Sequence, residues 1–155
     1  MALPLPTSLS PSKVSTFKDC ALAFRFSAID KLPEPPSVPA VKGTTVHRAL
    51  ELLFLDAPDL RTPERAQECL HTAMQEMATN EEYLGLELDD AAAVDFAATA
   101  ARMVERYFTL EDPRNIKPIG LELFLTAQLG SLTVRGIIDR LELDADGELV
   151  VTDYK

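Results

Sequence analysis

Residues 139–155 read D-R-L-E-L-D-A-D-G-E-L-V-V-T-D-Y-K and contain the most informative pattern of the chain. Thirteen residues separate Asp139 from the closing triplet D-Y-K, which contains Asp153 and Lys155. Residues 148–155 predict a strand, and side chains two positions apart on a strand share a face. Asp153 and Lys155 are therefore predicted to lie side by side. A carboxylate that binds a divalent cation, next to an ammonium that orients a water molecule, is suited to phosphodiester hydrolysis.

Two further strands are predicted upstream of this one. Residues 117–127, 131–143 and 148–155 read as strands, joined by L-G-S-L at 129–132 and D-A-D-G at 144–147. Glycine among short polar residues is typical of tight turns, and short links join antiparallel neighbours. The sequence therefore predicts a three-stranded antiparallel meander.

The residues before the meander predict helices. Ser10-Pro11 is typical of a helix start, and this first helix is expected to end near Cys20. Apolar periodicity and capping residues predict three more helices, at about 43–55, 62–78 and 89–108. Residues 21–29 either continue the first helix or extend, and the four prolines of residues 32–39 predict a loop.

Helices followed by strands, without internal repeats, predict an α+β fold class. N-terminal helices are followed by the three-stranded meander in one domain, with 56–110 as a helical segment inside it. A sheet that stops at residue 155 leaves an unpaired edge. We therefore expect the domain to be truncated at its C-terminus.

Composition restricts the class of protein further. The chain has 155 residues, 46% hydrophobic and 26% charged, as in ordinary globular proteins. No apolar run approaches the ~20 residues that span a bilayer, and no secretory signal is evident. Two cysteines do not make a disulfide framework. These observations predict a protein of the reducing cytoplasm, without a membrane partner.

The net charge of −10 is weak evidence against a nucleic-acid partner. Residues 1–50 carry six Lys/Arg against three Asp/Glu, a net of +3, whereas residues 81–112 carry nine acids against two arginines, a net of −7. The acidity is therefore concentrated in one segment, which is expected to be a solvated helical face.

Four stretches, in this order, resemble a known nuclease group. They are L-S-P-S to F-K-D-C at 9–20, G-T-T-V-H at 43–47, V-R-G-I-I-D-R at 134–140 and T-D-Y-K at 152–155. The chain resembles the RecB-type nucleases of the PD-(D/E)XK superfamily, which include the RecB and AddB nuclease domains and the CRISPR-associated Cas exonucleases. The resemblance covers residues 1–155 as a partial nuclease domain that lacks its C-terminal helix and strand, and 56–110 matches least.

The resemblance implies a role for each matching residue. His47, Asp139 and Asp153 would bind Mg²⁺ or Mn²⁺, and Lys155 would lie near the attacking water. Asp139, Asp153 and Lys155 would form the catalytic set, and Glu122 would match another acidic position of the family. Cys20 would match the first of four cysteines that hold a 4Fe–4S cluster.

The activity that the resemblance implies is metal-dependent exonucleolytic hydrolysis of DNA in repair and recombination. The expected partners are DNA, single-stranded or with free ends, and helicases or other repair proteins. Because the domain is expected to be truncated, the 155-residue chain itself is expected to be inactive.

Plainer interpretations of the same residues stay open. Asp139 and Asp153 are also compatible with surface acids, His47 with helix packing, and Cys20 with a free buried thiol. Two other classes of protein fit the pattern. One is a non-catalytic DNA-end-binding module that retains the nuclease fold, and the other is a helical protein-interaction module whose acidic 81–112 segment binds a basic partner.

Overall fold

A computed structural model describes residues 6–144 and 146–154 of the chain. The chain divides into two compact units. The first, which we call the hairpin unit, contains Met1–Glu34 and Glu122–Ile138, and the second, the helical unit, contains Pro35–Leu121 and Asp139–Lys155. Lys155 lies outside the described residues, so its predicted position on a strand is not tested.

The hairpin unit begins with a two-residue strand and short helices. They are β1 (Ser8–Leu9), α1 (Pro11–Asp19), α2 (Ala21–Phe24) and a π-helical turn (Arg25–Ile29). The start of α1 is as predicted, because Ser10 accepts a hydrogen bond from the Lys13 amide at 3.3 Å. Residues 21–29 are therefore helical and not extended.

The helical unit contains most of the regular structure. Its helices are α3 (Val38–Leu55), α4 (Pro63–Met77), α5 (Glu81–Leu84) and α6 (Asp90–Tyr107), with 3₁₀ turns at Pro58–Leu60 and Pro113–Asn115. The prediction of a loop over 32–39 is wrong at its end, because α3 begins at Val38. Ser37 caps this helix and Pro39 occupies its first turn, where a proline removes no helical hydrogen bond.

The core of the helical unit is an apolar contact between α3, α4 and α6. Its buried members recur every three or four residues, as one face of each helix requires. They are Val46, Ala49, Leu50, Leu53, Phe54, Ala66, Cys69, Leu70, Ala73, Ala100, Val104 and Tyr107. The apolar periodicity predicted for residues 43–55 is confirmed, and Cys69 of α4 lies in this core. His47, which follows Val46 on α3, lies at the edge of this stripe.

Over the residues that the structure describes, the sheet has four strands, one more than predicted. The remaining strands are β2 (Pro118–Leu129), β3 (Leu132–Leu143) and β4 (Leu149–Thr152), and β3 is paired with each of the others. In the helical unit β3 and β4 are antiparallel, with Arg140 opposite Thr152. In the hairpin unit β1 joins β3 in parallel, with Ser8 opposite Thr133. The α+β fold class, with mostly antiparallel strands after the helices, is confirmed.

Glycines in the left-handed region form both turns of the meander. Gly130 has φ 61° and Gly147 has φ 81°, values that favour glycine because a side chain would be strained there. The turn positions predicted from the sequence are therefore correct. Within the described residues, no helix has the length and apolar character needed to cross a membrane.

The start of α4 provides a test of capping. Thr62 Oγ1 accepts a hydrogen bond from the Arg65 amide at 3.2 Å. We expect Thr62→Ala to lower the free energy of unfolding by about 1 kcal/mol, measured by urea denaturation. Thr72→Ala is the matched control, because Thr72 is exposed inside the same helix, where alanine is favourable. Equal stability of the two variants would contradict the capping role.

Candidate metal centre

His47 and Asp139 form the centre of the candidate site, and both belong to the helical unit. His47 is on α3 and Asp139 is near the end of β3. His47 Nδ1 lies 3.6 Å from Asp139 Oδ2, and the side chains are 29% and 11% exposed. The structure therefore brings together two of the predicted metal ligands in a partly desolvated position, where charge interactions are stronger than in bulk water.

The main chain of Tyr154 holds both groups. Its N–H donates a hydrogen bond to Asp139 Oδ2 at 2.7 Å, and its carbonyl oxygen lies 3.1 Å from His47 Nε2. A carbonyl only accepts hydrogen bonds, so this contact assigns the ring proton to Nε2. In the neutral ring the Nδ1 lone pair then faces the Asp139 carboxylate.

Asp153 is the second predicted acid. It is exposed and lies one residue beyond the end of β4. Continuing the register of β3 and β4 by one position places Asp153 opposite Asp139. The two acids of the predicted pattern thus adjoin the paired residues Arg140 and Thr152, while Asp153 itself lies beyond the strand ladder. Lys155 lies outside the described residues.

A buried arginine supports this end of the sheet. The Arg140 side chain is 1% exposed, and its two terminal nitrogens bind the Glu111 carboxylate at 2.5 and 2.8 Å. It also donates to the hydroxyl oxygens of Tyr154 at 2.9 Å, Thr152 at 3.1 Å and Tyr107 at 3.3 Å. Arg140 therefore joins α6 and the segment after it to β3, β4 and the residues that follow β4.

The electrostatics of this cluster follow from burial and pairing. Burial acts to lower the pKa of Arg140, but the hydrogen bond to Glu111 and the charge interactions with Glu111 and the two tyrosines together outweigh it, and the pKa is raised. Burial raises the pKa of Tyr154 to about 12. Burial also acts to raise the pKa of Glu111, yet its hydrogen bonds from Arg140 and Tyr107 hold that pKa below its usual value. The cluster is thus one arginine between the carboxylates of Glu111 and Glu142, next to two neutral phenols.

Glu51, four residues after His47, belongs to a surface network. Arg48 donates to Glu51 at 2.7 Å and to Glu76 of α4 at 2.7 Å. The hydrogen bond from Arg48 lowers the pKa of Glu76. These ion pairs tie α3 to α4, and Glu51 is held by Arg48.

Glu122 and Cys20 belong to the hairpin unit. Glu122 lies in β2 with φ 44°, a left-handed conformation that few non-glycine residues adopt. Cys20 is an exposed free thiol whose sulfur caps α2 by accepting from the Ala23 amide at 3.5 Å. The interpretation of Cys20 as a free buried thiol is therefore wrong, because this cysteine faces solvent.

The residues of this chain do not make up the ligand set of a 4Fe–4S cluster. Such a cluster takes four cysteine thiolates, and the chain has two cysteines. Cys69 is 2% exposed in the core, where burial raises the pKa of its thiol and opposes the thiolate form. No step of the chemistry is therefore assigned to a cluster.

A divalent cation, in contrast, fits the donor atoms that are present. Bonds of about 2.1 Å allow one cation to contact two atoms that lie up to about 4.2 Å apart. The 3.6 Å between His47 Nδ1 and Asp139 Oδ2 is within that limit. The other ring nitrogen of His47 donates to a carbonyl, which is the usual arrangement for a metal-binding histidine.

Sequence reasoning from side-chain patterns missed three members of this region. Glu111 and Tyr107 contact Arg140 from α6 and the segment after it, and Tyr154 donates from its main chain to Asp139. The ring of Tyr154 also contacts the core cluster. Its main-chain contacts with His47 and Asp139 have no counterpart in a side-chain pattern.

A comparison with known protein families gives the class of this protein. The sequence pattern of the PD-(D/E)XK nuclease superfamily matches residues 8–155. The chain belongs to this superfamily, whose members act on nucleic acid with the help of divalent metals. None of the curated proteins matches the sequence at a significant level.

Proposed function

We propose that this chain is a metal-dependent DNA exonuclease of the RecB family that acts in DNA repair and recombination. The observation that carries the proposal is the His47–Asp139 pair, 3.6 Å apart and partly buried, in a chain of the PD-(D/E)XK superfamily. The assignment to the RecB type is based on the order of the Gly-x-x-x-His, Gly-x-x-Asp-Arg and Asp-Tyr-Lys stretches.

The proposed roles follow the chemistry of the side chains. Asp139, Asp153 and His47 hold Mg²⁺ or Mn²⁺, and the Lys155 ammonium orients the attacking water and offsets developing negative charge. A bound cation supplies charge neutralisation at the phosphate and lowers the pKa of bound water. Asp139 accepts the Tyr154 N–H at 2.7 Å, which fixes the direction of its carboxylate before substrate binds.

The proposed substrate is DNA with free ends, in the cytoplasm. Both cysteines are free thiols, as a reducing compartment favours. The proposal of a helicase or another repair protein as partner is based on the resemblance to the RecB type. Cys20 is the one solvent-facing cysteine among the described residues, and a role as cluster ligand requires three cysteines from elsewhere.

The test is digestion of end-labelled linear DNA and of closed circular DNA by the gene product that contains these residues. We expect Mn²⁺ or Mg²⁺ to support digestion of the linear form alone and EDTA to abolish it. Lys155→Ala is expected to reduce the rate by about 10²-fold, because one positioned charge is lost. Lys117→Ala removes the same charge from an exposed position and is the matched control.

The other outcomes decide between the competing proposals. Digestion of circular DNA would replace the exonuclease by an endonuclease. DNA binding without digestion, in both the natural protein and Lys155→Ala, would favour the non-catalytic end-binding module. Charge reversal across residues 81–112 that abolishes a protein interaction and leaves digestion unchanged would favour the helical interaction module.

A further inference from the structure

Tyr154 is the residue through which the candidate site is joined to the core. Its main-chain N–H binds Asp139 Oδ2 at 2.7 Å and its carbonyl binds His47 Nε2 at 3.1 Å. The main-chain N–H and carbonyl of this one residue thus bind the side chains of two proposed metal ligands of the helical unit. β4 ends at Thr152, so Tyr154 is held by contacts outside the strand ladder.

The side chain of Tyr154 supplies those contacts. Its hydroxyl oxygen accepts a hydrogen bond from Arg140 Nη1 at 2.9 Å. Its ring packs edge-on against His47, with centroids 5.6 Å apart, and against Tyr107, with centroids 5.9 Å apart.

Arg140 makes this anchor rigid. Its guanidinium is buried and bound bidentately by Glu111, so the nitrogen that faces Tyr154 has little freedom to move. Movement of the Tyr154 ring would also break the edge-on contact with His47. The position of the Tyr154 main chain is therefore coupled to the core through a chain of direct contacts.

We propose that Tyr154 is a positioning residue, whose side chain, anchored by Arg140, sets the main chain that orients His47 and Asp139 toward the cation. The proposal rests on the metal-binding role proposed above for those two residues. Tyr154 does not touch the cation. It keeps the His47 proton on Nε2 and directs Nδ1 at the Asp139 carboxylate.

The experiment compares Tyr154→Phe with Tyr107→Phe. Each variant loses one hydroxyl that binds Arg140, but only Tyr154 contacts His47 and Asp139 through its main chain. We expect both variants to fold and to show similar decreases in the urea midpoint. Only Tyr154→Phe is expected to weaken Mn²⁺ binding, by about 10-fold, as for other residues that orient metal ligands. Paramagnetic resonance of free Mn²⁺ measures this affinity.

A second readout needs neither metal nor activity. The chain has two histidines, and His71→Gln leaves His47 as the sole imidazole. Nitrogen-15 chemical shifts of that ring, in metal-free protein, report which nitrogen carries the proton. We expect the Nε2–H form in the parent and in Tyr107→Phe, and a mixture of both forms in Tyr154→Phe.

The outcomes separate this proposal from the proposed function. Unchanged His47 shifts in Tyr154→Phe, or equal losses of Mn²⁺ affinity in the two tyrosine variants, would overturn the positioning role. Absence of Mn²⁺ binding by the parent protein, together with the expected shifts, would overturn the metal role and support the orienting of His47 by Tyr154.

Discussion

Replacing Asp139 with asparagine is expected to reduce the rate of DNA cleavage by on the order of 10³-fold, because the change removes a charge that stabilises the metal and the transition state. The amide oxygen of asparagine can still accept the hydrogen bond that the Tyr154 N–H donates to Asp139 Oδ2 at 2.7 Å. We therefore expect the fold to be retained. Cleavage assays measure the rate, Mn²⁺ titration measures metal affinity, and urea denaturation measures whether the fold is retained, all on the same preparation.

Asp95→Asn is the matched control for this variant. Asp95 is exposed on α6, and the change removes the same charge from the protein. Cleavage by Asp95→Asn is expected to equal that of the natural protein. If Asp139→Asn cleaves DNA within about 10-fold of the natural rate, Asp139 does not stabilise the transition state as a metal ligand would.

Replacing Glu111 with glutamine is expected to produce the largest loss of stability among these variants. The change removes the carboxylate that binds both terminal nitrogens of Arg140 and leaves the charge of a 1% exposed guanidinium without its main partner. Loss of one partner of a buried pair costs about 3–5 kcal/mol. Glu111 is 29% exposed and Glu142 lies 3.1 Å from Arg140, so we expect about 3 kcal/mol.

The same variant has a defined pH dependence. The pKa of Glu111 is held below its ordinary value of 4.5 in the folded protein. The ionised form therefore favours folding, a contribution that is complete above about pH 4.5 and is lost as pH decreases through the folded-state pKa. The difference in unfolding free energy between the natural protein and Glu111→Gln should shrink over this range.

Glu105→Gln controls for the loss of a glutamate charge from the same region. Glu105 is exposed near the end of α6, and we expect its replacement to change the free energy of unfolding by less than about 0.5 kcal/mol at any pH. Urea denaturation at pH 3.5 and pH 7 measures both variants. A Glu111→Gln protein as stable as Glu105→Gln at pH 7 would show that Arg140 does not need this carboxylate.

Local patterns predict the long elements of this fold well. Thr62-Pro63 and Asp89 mark helix starts that are capped in the structure, and the glycines of both turns delimit the strands. These elements are predictable because capping, apolar periodicity and turn chemistry act between residues close in sequence.

Short elements and distant contacts are beyond such patterns. The two residues of β1 carry no periodicity, and they become a strand because β3 binds them. The four residues of α5 are similarly too few for a periodic pattern. Of the candidate site, the spacing of Asp139 and Asp153 and the helical context of His47 are apparent in the sequence. The pairing of Arg140 with Glu111 joins positions 29 apart and requires the tertiary structure.

Adjacent residues of β3 have separate tasks. Asp139 is directed at His47, whereas Arg140, next in the chain, is directed into the core. Since neighbours on a strand point to opposite faces, the proposed metal ligand and a residue that stabilises the core occupy adjacent positions of one strand. Under the proposed function, a single substitution at Asp139 is therefore expected to give an inactive protein that keeps its native fold. Such a variant is expected to retain bound substrate without cleaving it. The orientation of the substrate in the site could then be determined.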